Sequence, residues 1–168
     1  PDRSHILKAW EWYTRVDGNN YKETSPGGGW RPLKPMHRRM YQVGSAMIGR
    51  VTGPAAGFTS PDKIGVGIGP GVGIEIALIN LTDAETLQVQ FTTQADGAWD
   101  EARRLSCAIT ARDEFDIFDQ HYRVYRLTGA ETPEWKGKLK QMRVRLGPKA
   151  KDGWLRVDHI RLVSLEKE

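Results

Sequence analysis

The chain has 168 residues, and its 25 lysines and arginines against 21 aspartates and glutamates give a net charge of +4. That length fits one domain with a core of its own, so we expect residues 1–168 to be a single domain cut from a longer, multidomain protein. Cys107 is the single cysteine, which excludes an intrachain disulfide and a cysteine-based zinc site. No run of about 18 apolar residues predicts a membrane span, and we expect a monomer without a membrane partner.

The first part of the chain is rich in turn residues. It contains the stretches VDGNN, SPGGGW, RPLKP, VTGPAAG and GIGPGVG. Glycine supplies positive φ and proline removes a backbone donor, so these stretches predict loops and short edge strands. GPGVGIEI is superficially like a phosphate loop, but it lacks the Gly-Lys-Ser/Thr ending and a following helix, which argues against nucleotide binding.

Six clear strands follow, each with apolar and polar residues alternating between turn residues. In TLQVQFTT, Leu87, Val89 and Phe91 point to one side, and the glutamines and threonines point to the other. About eight or more such strands bury their apolar sides best against one another. We therefore predict an all-β fold, a two-sheet antiparallel β-sandwich of jelly-roll type. The predicted strands are Ile74–Thr82, Thr86–Thr93, Arg104–Ala111, His121–Leu127, Leu139–Gly147 and Trp154–Val163.

Basic residues crowd the last third of the chain, in RVYR, KGKLKQMRVR, KAK and LRVDHIR. Such a surface attracts anionic partners, and the arginine fork matches a carboxylate or sulfate, so Arg123, Arg143 or Arg145 would favour an acidic glycan. The simpler interpretation is that these residues are the solvated faces of strands. We expect no nucleic-acid partner, because acidic residues are interleaved and no aromatic RNA-binding signature is present.

The pattern of reactive residues argues against catalysis, and we predict no catalytic residues. The sequence contains no HExxH or GxSxG motif. Carboxylate pairs such as Asp100 and Glu101 fall at predicted turns, whereas a glycosidase needs two carboxylates facing across a cleft. A small lyase or hydrolase is the alternative. The histidines are scattered, with no serine or cysteine nucleophile motif beside them: His5, His37, His121 and His159.

Four segments together resemble the pattern of non-catalytic carbohydrate-binding modules. WEWYTRVDGNNYKETSPGGGW resembles their opening and NLTDAETLQVQFTTQADGAWDEAR their middle, while HYRVYRLTGAETPEWKGKLKQMRVRLG and GWLRVDHIRLV are similar to their last strands. The resemblance spans about Trp10 to Val163. It implies a galactose-binding-like sandwich that is secreted or at the cell surface. It also implies a polysaccharide partner and a catalytic domain in the same chain, a glycoside hydrolase or polysaccharide lyase that the module brings to its substrate.

A second function class stays open beside polysaccharide binding. A structural or protein-interaction sandwich could pack beside the catalytic domain of a larger enzyme. A large exposed apolar patch without a groove would favour this alternative.

Sugar binding needs aromatic rings for the apolar faces of the pyranose and planar polar side chains for its hydroxyls. Three tryptophans at predicted turns are candidates for an exposed platform: Trp30, Trp99 and Trp154. Arg123 and Tyr125 share one face of HYRVYRL with His121 and Leu127. They would flank a glycan if that face is the concave sheet, and they form a solvated edge otherwise. For each tryptophan, burial against the end of the sandwich is the alternative.

Other large side chains fit the core. Trp10, Trp12 and Phe91 suit strand interiors, and Met142 can fill core space where an aliphatic residue is usual in the modules. By the resemblance, Trp135 in PEWKG anchors a loop.

The stretch GWLRVDHIRLV contains a carboxylate, Asp158. Strict alternation directs Asp158 toward the core, where a charge needs a partner. One candidate partner is an arginine such as Arg143. The other is a structural calcium ion, which the resemblance implies, with further oxygens from Glu11 or from residues 17–20.

Overall fold

The structure is a computed structural model that describes residues 3–12, 29–43 and 46–167. A short 3-10 helix, Leu165–Lys167, follows the last strand. No helix in the described part of the chain is long and apolar enough to span a membrane. The strands are β1 (Ile6–Glu11), β2 (Arg31–Pro32), β3 (Met36–Val43), β4 (Ala46–Val51), β5 (Gly57–Thr59), β6 (Val66–Ile68), β7 (Val72–Leu81), β8 (Thr86–Thr93), β9 (Arg104–Ala108), β10 (Arg123–Thr128), β11 (Gly137–Leu146) and β12 (Gly153–Ser164).

The strands form two six-stranded sheets. Sheet A has the order β10-β7-β12-β4-β3, and β1 also pairs with β12. Sheet B has the order β2-β5-β11-β8-β9, and β6 also pairs with β11. Every pairing is antiparallel. The predicted all-β, two-sheet antiparallel sandwich is therefore confirmed.

The core lies between the two sheets and follows from their alternation. Leu87, Val89 and Phe91 of β8 are buried, as predicted, and Met142 of β11 packs with them. Sheet A supplies the facing layer from alternate positions of β7 and β12: Ile74, Ile76, Leu78, Leu155, Val157, Ile160 and Leu162. The polar residues between these positions must then lie on the outer faces of the sheets.

Trp30 belongs to an aromatic cluster inside the sandwich. Its ring centroid lies 5.3 Å from Trp10, 6.1 Å from Trp12 and 5.5 Å from Phe58, each in an edge-on arrangement, and the side chain is 0% exposed. The prediction that Trp30 forms an exposed platform is wrong. The turn ends at Gly29, which has φ of 79°, so the next residue already enters the core. Trp10 and Trp12 are buried, as expected.

Trp135 anchors the loop between β10 and β11. Its indole Nε1 donates a hydrogen bond to the Val72 carbonyl at 2.9 Å, and its ring packs edge-on against Phe91 at 4.9 Å. The ring lies against Gly129, where an added Cβ would be 2.2 Å from the indole Cδ1. Only glycine fits at this position, because any side chain would displace the ring.

A β-bulge in β12 redirects Asp158. The register with β7 shifts between Val157 and His159, so strict alternation does not hold across this point. Asp158 is partly exposed and its Oδ2 lies 2.9 Å from His159 Nδ1. The predicted partner Arg143 is on β11, in the other sheet. The inward orientation predicted for Asp158 is therefore wrong.

Candidate functional site

The outer face of sheet A carries a network of ion pairs around Glu75 of β7. The Glu75 carboxylate accepts hydrogen bonds from Arg126 at 3.3 Å and from Arg161 at 3.2 Å, and it lies 3.2 Å from His159 Nε2. Burial opposes ionisation of Glu75, but the charge of His159 and the two arginines outweigh it, and the pKa of the carboxyl is lowered. We call these side chains, with Glu11 and Asp158, the Glu75 network.

The carboxylates of Glu11 and Asp158, the predicted calcium ligands, contact basic side chains. Glu11 accepts from Arg161 at 2.5 Å and from Arg3 at 2.6 Å, and Asp158 is bonded to His159. Calcium needs six to eight oxygen ligands. Across residues 3–12, 29–43 and 46–167, no three His, Cys, Asp or Glu side chains are grouped so that they could hold a metal ion. Residues 17–20, the other predicted source of oxygens, lie outside the described ranges.

Arg123 and Tyr125 of β10 both bond to the segment between β9 and β10. Arg123 Nε donates to Asp113 at 2.8 Å, and the Tyr125 hydroxyl accepts from the Thr110 backbone N–H at 3.0 Å. Tyr125 packs against the core on the same side of the strand as the buried Leu127. These two residues therefore do not lie on an outer face of a sheet together with Trp99.

Trp154 stands on the outer face of sheet A and is 41% exposed. Its neighbours in register are Arg50 of β4 and Leu81 of β7. Trp99, in contrast, contacts an arginine of sheet B. The structure thus places the predicted sugar-binding residues in three different environments and does not bring them into one site.

The outer face of sheet B carries a row of polar residues that crosses all five strands of the sheet path. The pairings place Arg31 beside Thr59, Thr59 beside Arg143, Arg143 beside Gln90, and Gln90 beside Arg104. With about 4.8 Å between neighbouring strands, this row is about 19 Å long. We call these five residues the Arg143 row.

Trp99 lies on this row. The guanidinium carbon of Arg143 is 3.9 Å from the centroid of the Trp99 ring, a cation–π contact. Trp99 belongs to the loop between β8 and β9, which Arg103 holds in place through bonds to Asp96 at 3.1 Å and to the Ala98 carbonyl at 2.7 Å. The aromatic ring and the polar row therefore form one surface.

Several polar atoms of this surface have no partner among the described residues. Gln90 and Thr92 are 4% and 1% exposed, and Gln90 Oε1, Thr92 Oγ1 and Arg143 Nε make no hydrogen bond there. A buried polar group left without a partner costs about 1–3 kcal/mol. These three atoms are themselves shielded from solvent, so the groups of the row that a ligand can reach directly are the more exposed side chains of Arg31, Thr59 and Arg104.

The charge of the face is only partly neutralised. Glu101 accepts from Arg145 at 3.1 Å and from Arg104 at 3.0 Å. In the described part of the chain, no carboxylate forms an ion pair with Arg31 or Arg143. Burial, followed by repulsion from Arg145, lowers the pKa of Arg143. The face keeps a positive charge.

Sequence reasoning missed Arg31, Gln90 and Thr92 as site residues. The alternation of TLQVQFTT placed the two glutamines on a polar side, but it did not show which strands flank them. Gln90 lies beside Arg143 because β8 pairs with β11, and these two strands are about 50 residues apart in the sequence.

The fold is similar to that of several solved structures. The chain matches the second N-terminal cellulose-binding domain of β-1,4-glucanase C from Cellulomonas fimi with a TM-score of 0.55 and 16% identity, covering 97% of this chain and 96% of that one. It matches the CBM1 module of BiXyn10A with a TM-score of 0.52 and 7% identity, covering 95% and 99%.

A third match lies within a longer enzyme chain. The structure of arabinose-bound MgGH51 α-L-arabinofuranosidase gives a TM-score of 0.57 at 12% identity, covering 95% of this chain and 26% of that one. No protein-family model and no curated protein matches the sequence. At such low identities the likeness concerns the fold, and the chain has the two-sheet β-sandwich fold of carbohydrate-binding modules.

Proposed function

We propose that the chain is a non-catalytic domain that binds a polysaccharide on the outer face of sheet B. The observation that carries this proposal is Trp99, a partly exposed ring that lies on Arg143 in the middle of the polar row. An aromatic ring with planar polar groups at its edge is the combination that a pyranose needs.

The face can satisfy both sides of a sugar ring. The apolar C–H groups of a pyranose would stack on Trp99, while its hydroxyls would bond to the more exposed side chains of the row, Arg31, Thr59 and Arg104. The guanidinium of Arg143 would donate to ring or hydroxyl oxygens. Since the row crosses five strands, it can contact several consecutive sugar units of one polymer.

The arginines favour an acidic glycan as the ligand. Arg31 and Arg143 are in line across the sheet, two strands apart, so their side chains start about 10 Å from each other. A guanidinium matches a carboxylate or sulfate bidentately. A uronic or sulfated polymer with charges on successive units would thus bind both arginines, and raised salt would weaken this binding.

Such a domain would serve an attached carbohydrate-active enzyme, secreted or at the cell surface, by holding it on its substrate. Weak binding by the module is enough for this role, because attachment raises the effective concentration of the enzyme on the polymer. One of the similar structures is named as a cellulose-binding domain of a β-1,4-glucanase.

The test is affinity electrophoresis in native gels that contain hydroxyethyl cellulose, polygalacturonate or dextran sulfate, at low and raised salt. We expect retardation by an acidic polymer, and we expect Arg143→Gln to abolish most of it. Arg123→Gln is the matched control, because it removes an arginine charge outside the row. Retardation by the neutral polymer alone, without effect of salt, would contradict the acidic ligand.

A second candidate function is docking of a neighbouring protein domain. The loop between β9 and β10 exposes Ile117 at 69% and Phe118 at 95%, beside Phe115 at 38%. Exposed apolar side chains of this kind are typical of interaction surfaces. Failure of every polymer to retard the chain would favour this candidate over glycan binding.

A further inference from the structure

A surface depression lies at the corner where the outer faces of the two sheets meet. β9 is the edge strand of sheet B and β10 is the edge strand of sheet A. The depression between them has a volume of about 410 Å³. The polar residues that line it are Arg104, Ser106, Arg126, Thr128, Glu131 and Thr132.

The depression continues the Arg143 row. Arg104 is the last residue of the row, on β9, and it also lines the depression. A polymer that lies along the row leaves sheet B at β9. Its next units would then reach Thr128 and Glu131, which are on the other side of the corner.

The lining offers both donors and acceptors. Arg104 uses one nitrogen for Glu101, and a guanidinium has five N–H groups in all. Thr132 Oγ1 donates to the Arg104 carbonyl at 2.9 Å, which leaves its lone pairs to accept.

The carboxylate of Glu131 indicates that the depression favours a sugar over a simple anion. This carboxylate accepts hydrogen bonds and repels negative charge, so its presence among the lining residues disfavours a site for an isolated sulfate or phosphate. Sugar hydroxyls are donors and acceptors at once. A lining of guanidinium, hydroxyl and carboxylate groups therefore matches a saccharide unit that directs its hydroxyls toward Glu131 and its own carboxylate, where it has one, toward Arg104 or solvent.

We propose that this corner depression is an additional subsite that binds a saccharide unit of the polymer held on the Arg143 row. The proposal rests on the proposed function. It implies that the binding path turns round the edge of the sandwich, and that long oligosaccharides bind more tightly than those that the row alone can hold.

The experiment is isothermal titration calorimetry with galacturonate tetrasaccharide and octasaccharide, and with the matching cello-oligosaccharides as a neutral series. The variant Thr128→Val with Glu131→Ala removes one hydroxyl and one carboxylate from the depression. We expect about tenfold weaker binding of the octasaccharide, as for the loss of two hydrogen bonds, and unchanged binding of the tetrasaccharide.

The matched control is Thr110→Val with Glu114→Ala. It makes the same chemical changes at two exposed positions elsewhere on the surface, and we expect it to leave both affinities unchanged.

Each other outcome has a defined meaning. Equal affinity of the depression variant and the wild type for the octasaccharide would overturn the subsite and leave the proposed function standing. Tighter binding after Glu131→Ala, with competition by sodium sulfate, would overturn it in favour of a simple anion site. Failure of the wild-type chain to bind any oligosaccharide of either series would count against the proposed function itself.

Discussion

The Glu75 network and the Arg143 row are two arginine-rich regions on opposite outer faces of one sandwich, and they differ in how their polar groups are satisfied. In the network, Glu75 and Glu11 each accept from more than one basic side chain. In the row, Arg143 faces an aromatic ring and Gln90 has an unbonded amide oxygen. The network therefore ties strands together, whereas Arg31 and Arg143 of the row pair with no carboxylate among the described residues.

The difference teaches that arginine content does not identify a binding face. Arg161 and Arg143 are both partly buried arginines on long strands, but only the first contacts carboxylates in the described ranges. The informative property is whether neighbouring carboxylates neutralise the arginines, because an arginine without such a partner keeps its charge and its donors for an anionic ligand.

The largest expected effect comes from breaking the network. Glu75→Ala leaves Arg161 and His159 without the carboxylate between them, and removing one partner of a buried ion pair costs about 3–5 kcal/mol. We expect a loss of that size in the free energy of unfolding, measured by urea denaturation. Glu85→Ala, which breaks an exposed pair with Lys149, is the control and should change stability little. A stable Glu75→Ala variant would contradict the structural role of the network.

Trp99→Ala tests the opposite face. We expect polysaccharide affinity to fall by about 2 kcal/mol, or about 30-fold, because the stacking surface is lost, with a small effect on unfolding. Trp154→Ala removes an exposed tryptophan from sheet A and should leave affinity unchanged. Titration calorimetry with the polysaccharide that retards the chain in native gels measures the affinity of both variants. A loss of affinity in Trp154→Ala alone would move the binding face to sheet A.

Acid should weaken the network before it weakens the row. The pKa of Glu75 in the folded chain is below its ordinary value of 4.5, so the unfolded chain takes up a proton at higher pH than the folded chain. The contribution of Glu75 to the free energy of unfolding is therefore complete above its ordinary pKa, and it is lost as the pH falls through the lowered pKa of the folded chain. Urea midpoints from neutral pH downward should show this decline, and Glu75→Gln should show a smaller one. If the urea midpoints of the wild type and of Glu75→Gln fall equally with pH, the lowered pKa of Glu75 is not the cause of the decline.

The smallest effect is expected at Tyr125. Tyr125→Phe removes the acceptor for the Thr110 N–H and should lower the free energy of unfolding by about 1 kcal/mol. Its affinity for polysaccharide should match that of the wild type. Weaker binding by this variant would show that the edge of sheet A near β10 takes part in the site.

The fold was largely predictable because alternation is a local signal. The strand Thr86–Thr93 has the predicted bounds, and its buried side is the predicted one. Alternation failed at Asp158, because a bulge adds one residue and leaves no trace in the pattern. The turn signal failed at Trp30, since glycines mark where a loop bends but not where the next side chain points.

The site was less predictable because it depends on which strands become neighbours. Trp99 was identified from its position at a turn, but the sequence could not show that its ring would lie on Arg143. Arg123, Tyr125 and Leu127 were predicted to share one side of a strand, but the pattern could not show that Leu127 is buried on that side. The order of the strands in the sheets determines which side chains become neighbours, and that order depends on the whole chain.

The tryptophans give the molecule a built-in optical readout. Four of the six are buried, namely Trp10, Trp12, Trp30 and Trp135, while Trp154 is exposed and Trp99 is partly exposed. A soluble quencher such as iodide would therefore reach chiefly Trp99 and Trp154, which lie on opposite faces. In a Trp154→Phe variant, the quenchable emission would come mainly from Trp99, and its protection by an added polymer would report occupancy of sheet B without any label.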